Sequence, residues 1–212
     1  FIMSSGPDIA FMIPGPAGLL EARWAASASH KEEAAIVCHP HPLHGGTMTN
    51  KVVTTLARTF RDAGLSVLIF NFRGAGASEG VHDQGRGEVD DLLAALAWLQ
   101  TQGVRRIHLA GFSFGSWVCA AASGRLPDGL HLVQLVLVAP PVQYEGFSAL
   151  HPPSGTLVMM GDQDEVVDSA AMKEWSETRR PPCILKVFSG AGHFFHGRLN
   201  DLKAELTARL TP

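Results

Sequence analysis

The chain has 212 residues, 46% of them apolar, with a formal net charge of −3. That length can bury a sizeable core as one domain, and the negative balance lacks the basic face a nucleic-acid binder needs. No apolar run reaches the length of a membrane span, so no membrane partner is expected.

Phe1 to Gly6 shows no basic region followed by an apolar stretch, so no signal peptide is expected. Asp8 to Ile13 and Gly18 to Trp24 read as two strands of a hairpin around Pro14-Gly15-Pro16. Ala34 to Cys38 is a continuous apolar run, the pattern of a strand buried on both faces. It leads into His39-Pro40-His41-Pro42-Leu43-His44-Gly45-Gly46. A helix is expected over Asn50 to Ala63, closed by Gly64. Leu65 to Phe70 is another buried strand, and it feeds Asn71-Phe72-Arg73-Gly74. Glu88 to Thr101 is an amphipathic helix on Val89, Leu92, Leu96 and Leu99.

Ile107 to Ala110 is a short strand. It precedes Gly111-Phe112-Ser113-Phe114-Gly115 and a small-residue helical pattern from Ser116 to Ser123. Strands follow at Leu132 to Ala139, Thr156 to Met160 and Ile184 to Phe188. The last two helices are expected over Ser169 to Thr178 and Arg198 to Leu210. After the hairpin, strands alternate with helices, which predicts a mostly parallel α/β sheet of about eight strands with helices on both faces. Right-handed crossovers then place every strand C-terminus on one edge, where ligands bind in such sheets. No repeat or linker divides the chain, so residues 1–212 are expected to form a single domain.

Glycine, any residue, serine, any residue, glycine between a strand and a helix is the spacing of a nucleophile elbow. Glycines two positions either side of the serine let strand and helix pass closely. The turn points the Ser113 hydroxyl outward and leaves the Phe114 N–H at a helix start, where negative charge is favoured. A serine hydroxyl needs a base, and the base needs an orienting acid. Asp162 and Asp164 follow one strand, and Asp164, further out, is the better placed to rise above the sheet edge. Asp162 is expected to be a turn-forming residue. His193, after Gly190 and Gly192, is the expected base, with His196 at the onset of the last helix either supporting the site from behind or lying on the surface. A second oxyanion donor is expected from the loop after Ala34 to Cys38. Pro40 and Pro42 have no N–H, which leaves His41 or, further out, Leu43, and His41 is nearer the strand.

His39, His41 and His44 invite a metal reading, but prolines separate the first two and no Asp or Cys is interleaved, so no metal and no cofactor is expected. Gly74-x-Gly76 lacks the rest of a dinucleotide fingerprint and reads as a loop packed beneath the His-Pro segment, with Arg73 structural. Cys38, Cys119 and Cys183 fit no metal spacing and are expected to be reduced, buried thiols of a cytoplasmic protein.

Together these motifs, with Gly161-Asp162-x-Asp164 and Gly192-His193-Phe194-Phe195, resemble the α/β-hydrolase superfamily, and within it the small lidless members akin to dienelactone hydrolases. The resemblance spans about Asp8 to Leu210. It implies Ser113 as nucleophile, Asp164 as acid, His193 as base, and the N–H groups of Phe114 and His41 as oxyanion donors. It departs from dienelactone hydrolases in having serine where they carry cysteine. About sixteen residues separate Ala139 from Thr156, which leaves no room for a cap domain, so an open site walled by Phe112, Tyr144, Phe147 and Phe194 is expected. The implied activity is that of a carboxylesterase on small-molecule acyl esters. An amidase, peptidase or acyl transferase would use the same triad, and a non-catalytic binding protein would keep only the fold.

Overall fold

A computed structural model describes residues 9–210. Residues 1–8, and with them the reading of the leader region and the Asp8 strand start, lie outside it. Eight strands form one sheet: β1 (Ile9–Gly15), β2 (Gly18–Ala25), β3 (Glu33–Cys38), β4 (Ser66–Phe70), β5 (Arg106–Phe112), β6 (His131–Val138), β7 (Leu157–Gly161) and β8 (Ile184–Phe188). Their spatial order is β1-β2-β4-β3-β5-β6-β7-β8. The β1–β2 and β2–β4 pairs are antiparallel, and every pair from β4 to β8 is parallel. The helices are α1 (Lys51–Asp62), α2 (Arg86–Thr101), α3 (Phe114–Ala122), α4 (Ser169–Thr178) and α5 (Leu199–Leu210).

The strand alternation decides which helix goes where. Successive side chains point to opposite faces. On β3, Ala34, Ile36 and Cys38 join one core with Leu92, Leu96 and Leu99 of α2 and Val118 and Ala122 of α3. Ala35 and Val37 join the other with Val52, Val53, Leu56 and Phe60 of α1 and Leu202 and Leu206 of α5. β6 splits the same way, Leu135 and Leu137 against Val136 and Val138. Both faces are therefore covered, as a parallel sheet requires.

Segment 139–156 carries only the short 3-10 turn Phe147–Ala149, so no cap covers the sheet edge. No helix among the described residues is long and apolar enough to cross a membrane. Two expectations change. α3 begins at Phe114, directly after the serine, rather than at Ser116. Cys38 and Cys119 are buried, but Cys183 is only partly so, because it precedes the exposed edge strand β8.

Candidate active site

Ser113 stands between β5 and α3 with φ 53° and ψ −119°, a left-handed conformation that is costly for a residue with a Cβ. The neighbours hold it there. Its N–H donates to Val138 O on β6 at 2.8 Å, and Ser116 Oγ donates to Ser113 O at 2.6 Å. A Cβ on Gly111 would stand 2.4 Å from the Gly115 backbone, and one on Gly115 would stand 2.3 Å from Cys38 O. The two glycines are thus required by close passage of β5, α3 and the end of β3.

Ser113 Oγ lies 3.1 Å from His193 Nε2, and His193 Nδ1 lies 2.8 Å from Asp164 Oδ2. His193 is 2% exposed and Ser113 8%. The Asp164 carboxylate makes the imidazole Nδ1 the donor, which leaves Nε2 free to accept from the serine. Burial by itself would raise the Asp164 pKa. The hydrogen bonds from His193, Val167 N–H and Val166 N–H outweigh it and hold the carboxyl below its usual range. The structure thus brings together the three expected side chains, in the orientation needed to move a proton off the serine.

The acid loop and the histidine loop are joined at four successive points. Asp162 Oδ1 accepts from Gly190 N–H at 2.7 Å, and Gln163 N–H donates to Ala191 O at 3.0 Å. Asp164 takes the ring, and Glu165 Oε2 accepts from His193 N–H at 3.0 Å. Asp162 is therefore not the local turn residue expected from its sequence setting. It reaches across to the histidine loop, because its strand β7 runs beside β8. Glu165 had no sequence signal at all: nothing local marks an exposed glutamate as a partner for a backbone group in a neighbouring loop. His196 is exposed and packs its ring on Phe194, the second of the two places expected for it.

On the other side of the serine, the N–H groups of Phe114 and His41 have no acceptor among the described residues. The rival donor, Leu43 N–H, is taken by His41 Nδ1 at 3.2 Å. His39 fixes this loop from below. Its Nδ1 faces Pro40 O at 2.7 Å, so Nδ1 carries the proton and Nε2 accepts from Phe72 N–H at 2.9 Å. Burial drives the His39 pKa down to about 4, against the Pro40 hydrogen bond, which raises it. His41 is lowered to about 4 as well, by burial and by the charge of His82 and His44. Both are neutral near neutral pH, and no group of three or more metal-ligating side chains forms among the described residues.

The contacts beneath the His-Pro segment come from Asn71 and Phe72, just before Gly74-x-Gly76, rather than from the glycines themselves. Asn71 Oδ1 accepts from Met48 N–H at 2.8 Å, and Arg73 is bound by two nitrogens to the fully buried Asp91 of α2. Asp91 and Glu88, acidic residues on the buried side of α2, were missed. Glu88 accepts from Gly85 N–H at 3.0 Å and stands 2.8 Å from His82 Nδ1.

The expected walls need correcting. Phe112 and Phe147 are fully buried. Phe112 supports the His193 ring from the core at 5.1 Å, and Phe147 packs on Trp175 at 4.7 Å. Of the four, Tyr144 and Phe194 alone line the cleft of about 500 Å³ over Ser113, with His41, Gln143, Val166 and His193.

The comparisons agree with this architecture. Residues 43–148 match a family described as the alpha/beta hydrolase fold. A solved alpha-beta serine hydrolase homologue from Coxiella burnetii is 44% identical, with all of both chains covered and a TM-score of 0.89. An α/β serine hydrolase without a lid from Xanthomonas campestris is 38% identical over 98% of this chain and 95% of its own, with a TM-score of 0.88. An uncharacterized protein of Rickettsia prowazekii is 37% identical over an alignment of 199 positions that covers 88% of this chain and 82% of that one.

Proposed function

The chain belongs to the α/β-hydrolase family, and from that premise we propose that it is a carboxylesterase that works through an acyl-enzyme on Ser113. The observation that carries the reading is the unbroken hydrogen-bond line from Ser113 Oγ through His193 to Asp164, at 3.1 and 2.8 Å. His193 Nε2 takes the hydroxyl proton as Ser113 Oγ attacks the ester carbonyl. The tetrahedral oxyanion is held by the N–H groups of Phe114 and His41, while Asp164 stabilises the imidazolium. His193 then gives its proton to the leaving alkoxide, which departs as the alcohol. Water, deprotonated by the same imidazole, attacks the acyl-enzyme, and the acid is released as the imidazolium returns the proton to the departing Ser113 Oγ.

The open cleft admits small esters without a lid movement. The free thiols of Cys38, Cys119 and Cys183 support a reducing, cytoplasmic setting. The test is labelling with a fluorophosphonate probe together with p-nitrophenyl acetate turnover. Labelling and turnover in the parent that are both lost in Ser113→Ala support the reading. Turnover that survives the substitution rules it out.

A further inference from the structure

The cleft does not end at the serine. A wider lobe of about 910 Å³ adjoins it, and His41, His44, Gln143 and Tyr144 line both, forming a waist beside Ser113. The two lobes differ in what they offer. The narrower one contains Ser113 and His193 and is edged by the apolar Val166 and Phe194. The wider one touches neither Ser113 nor His193.

Its wall is a run of rings in contact, with the partly exposed His41, His82 and Trp117 backed by the buried Phe114. His41 lies 5.1 Å and His82 5.5 Å from the Phe114 ring, Phe114 lies 6.2 Å from Trp117, and His41 lies 4.8 Å from His82. The polar ends of Gln143 and Tyr144 have no partner among the described residues and stand at the waist. The Arg86 guanidinium, likewise without a partner among the described residues, lines the wider lobe, as does the exposed Glu145.

The proton path sorts the two halves of a substrate. A leaving alkoxide has to sit within reach of His193 Nε2, which belongs to the narrower lobe. With the carbonyl oxygen on the donors of Phe114 and His41, the acyl half is then directed across the waist. We infer that the wider lobe is the acyl subsite and that it takes an acyl group carrying an aromatic ring stacked on the wall of rings, so that the substrates are arylalkanoic esters of small alcohols. Ring faces reward a flat π-system over a flexible chain of equal size, and Arg86 and the waist residues can hold polar substituents on it.

The inference rests on the esterase reading, and the experiment separates the two. Initial rates of acid release are compared for ethyl 3-phenylpropanoate, ethyl hexanoate and 3-phenylpropyl acetate, which places the ring on the alcohol instead. The ethyl phenylpropanoate should exceed both others in kcat/KM by about tenfold. That ratio should fall toward one in Trp117→Leu and in Glu145→Trp, the second being an exposed position whose new side chain fills the lobe without disturbing the core. Equal rates, or a preference for 3-phenylpropyl acetate, overturn the inference and leave the esterase reading standing. If no ester is cleaved, the esterase reading fails, and calorimetric titration of Ser113→Ala with 3-phenylpropanoate and hexanoate decides the lobe. Tighter binding of the aryl acid that Trp117→Leu abolishes supports it, and equal binding of the two acids overturns it.

Discussion

Asp164 holds His193 with one carboxylate oxygen and its own loop with the other. Oδ2 meets the ring Nδ1 at 2.8 Å, while Oδ1 accepts from Val166 and Val167 N–H at 2.8 and 2.7 Å. The carboxylate is thus oriented before it orients anything else. Asp164→Asn keeps the shape but can present an amide N–H to Nδ1, which favours the wrong imidazole tautomer. A loss in kcat of about 10³–10⁴-fold is expected, read as p-nitrophenyl acetate turnover with the fold checked by circular dichroism. A loss under tenfold would remove Asp164 from the proton path.

Glu165 acts on the same histidine from the backbone side. Glu165→Ala frees His193 N–H and loosens the loop, and kcat should fall by about tenfold with KM little changed. Glu165→Gln retains an acceptor oxygen and should recover most of that loss. If alanine and glutamine behave alike, the 3.0 Å contact does not position the base.

Gly46 closes the His-Pro loop so tightly that a Cβ there would stand 2.1 Å from Pro40 O and 2.7 Å from His41 O. These are backbone atoms and cannot swing aside. Gly46→Ala should displace the loop that carries the His41 donor, at a stability cost of about 1–3 kcal/mol and a fall in kcat of about tenfold or more. Urea unfolding and steady-state kinetics on the one variant measure both.

His39 makes stability depend on pH. Its folded pKa of about 4 lies below the ordinary value of 6.5, so between those limits the unfolded chain binds the extra proton. Stability therefore rises with pH across this window and is lost as pH falls from 6.5 through 4, by up to about 3 kcal/mol from this residue. The urea midpoint should drop between pH 7 and pH 4. His39→Gln, which can still accept from Phe72 N–H, should flatten that slope, and an unaltered slope would show that His39 takes no part in it.

Arg73 and Asp91 form a buried pair at 2.8 Å, with side chains 11% and 0% exposed. Asp91→Ala leaves the guanidinium without its partner beneath the His-Pro loop, and a loss of about 3–5 kcal/mol is expected in chemical denaturation. A cost below 1 kcal/mol would mean that water takes the place of the carboxylate.

What the chain reveals on its own is set by local rules. Alternation in β3 and β6, the three-and-four spacing in α2 and the glycine spacing around Ser113 each depend on a few neighbouring residues. They sufficed for the sheet, its helices, the lidless edge and the three side chains that meet there. Asp164 and His193 were legible because each follows a strand whose C-terminus must lie on the shared edge.

Packing decided the rest. That β4 lies between β2 and β3 follows from no run of residues. Asp162 looked like a turn residue and proved to be a tie to Gly190, 28 positions away. Nothing in the helical spacing marks Asp91 and Glu88, which lie in the buried face of α2, since a carboxylate goes inside when Arg73 or His82 waits there. Phe112 and Phe147 read as cleft walls and serve as core. A side chain's periodicity gives its face, but its partner is chosen only when distant segments close on one another.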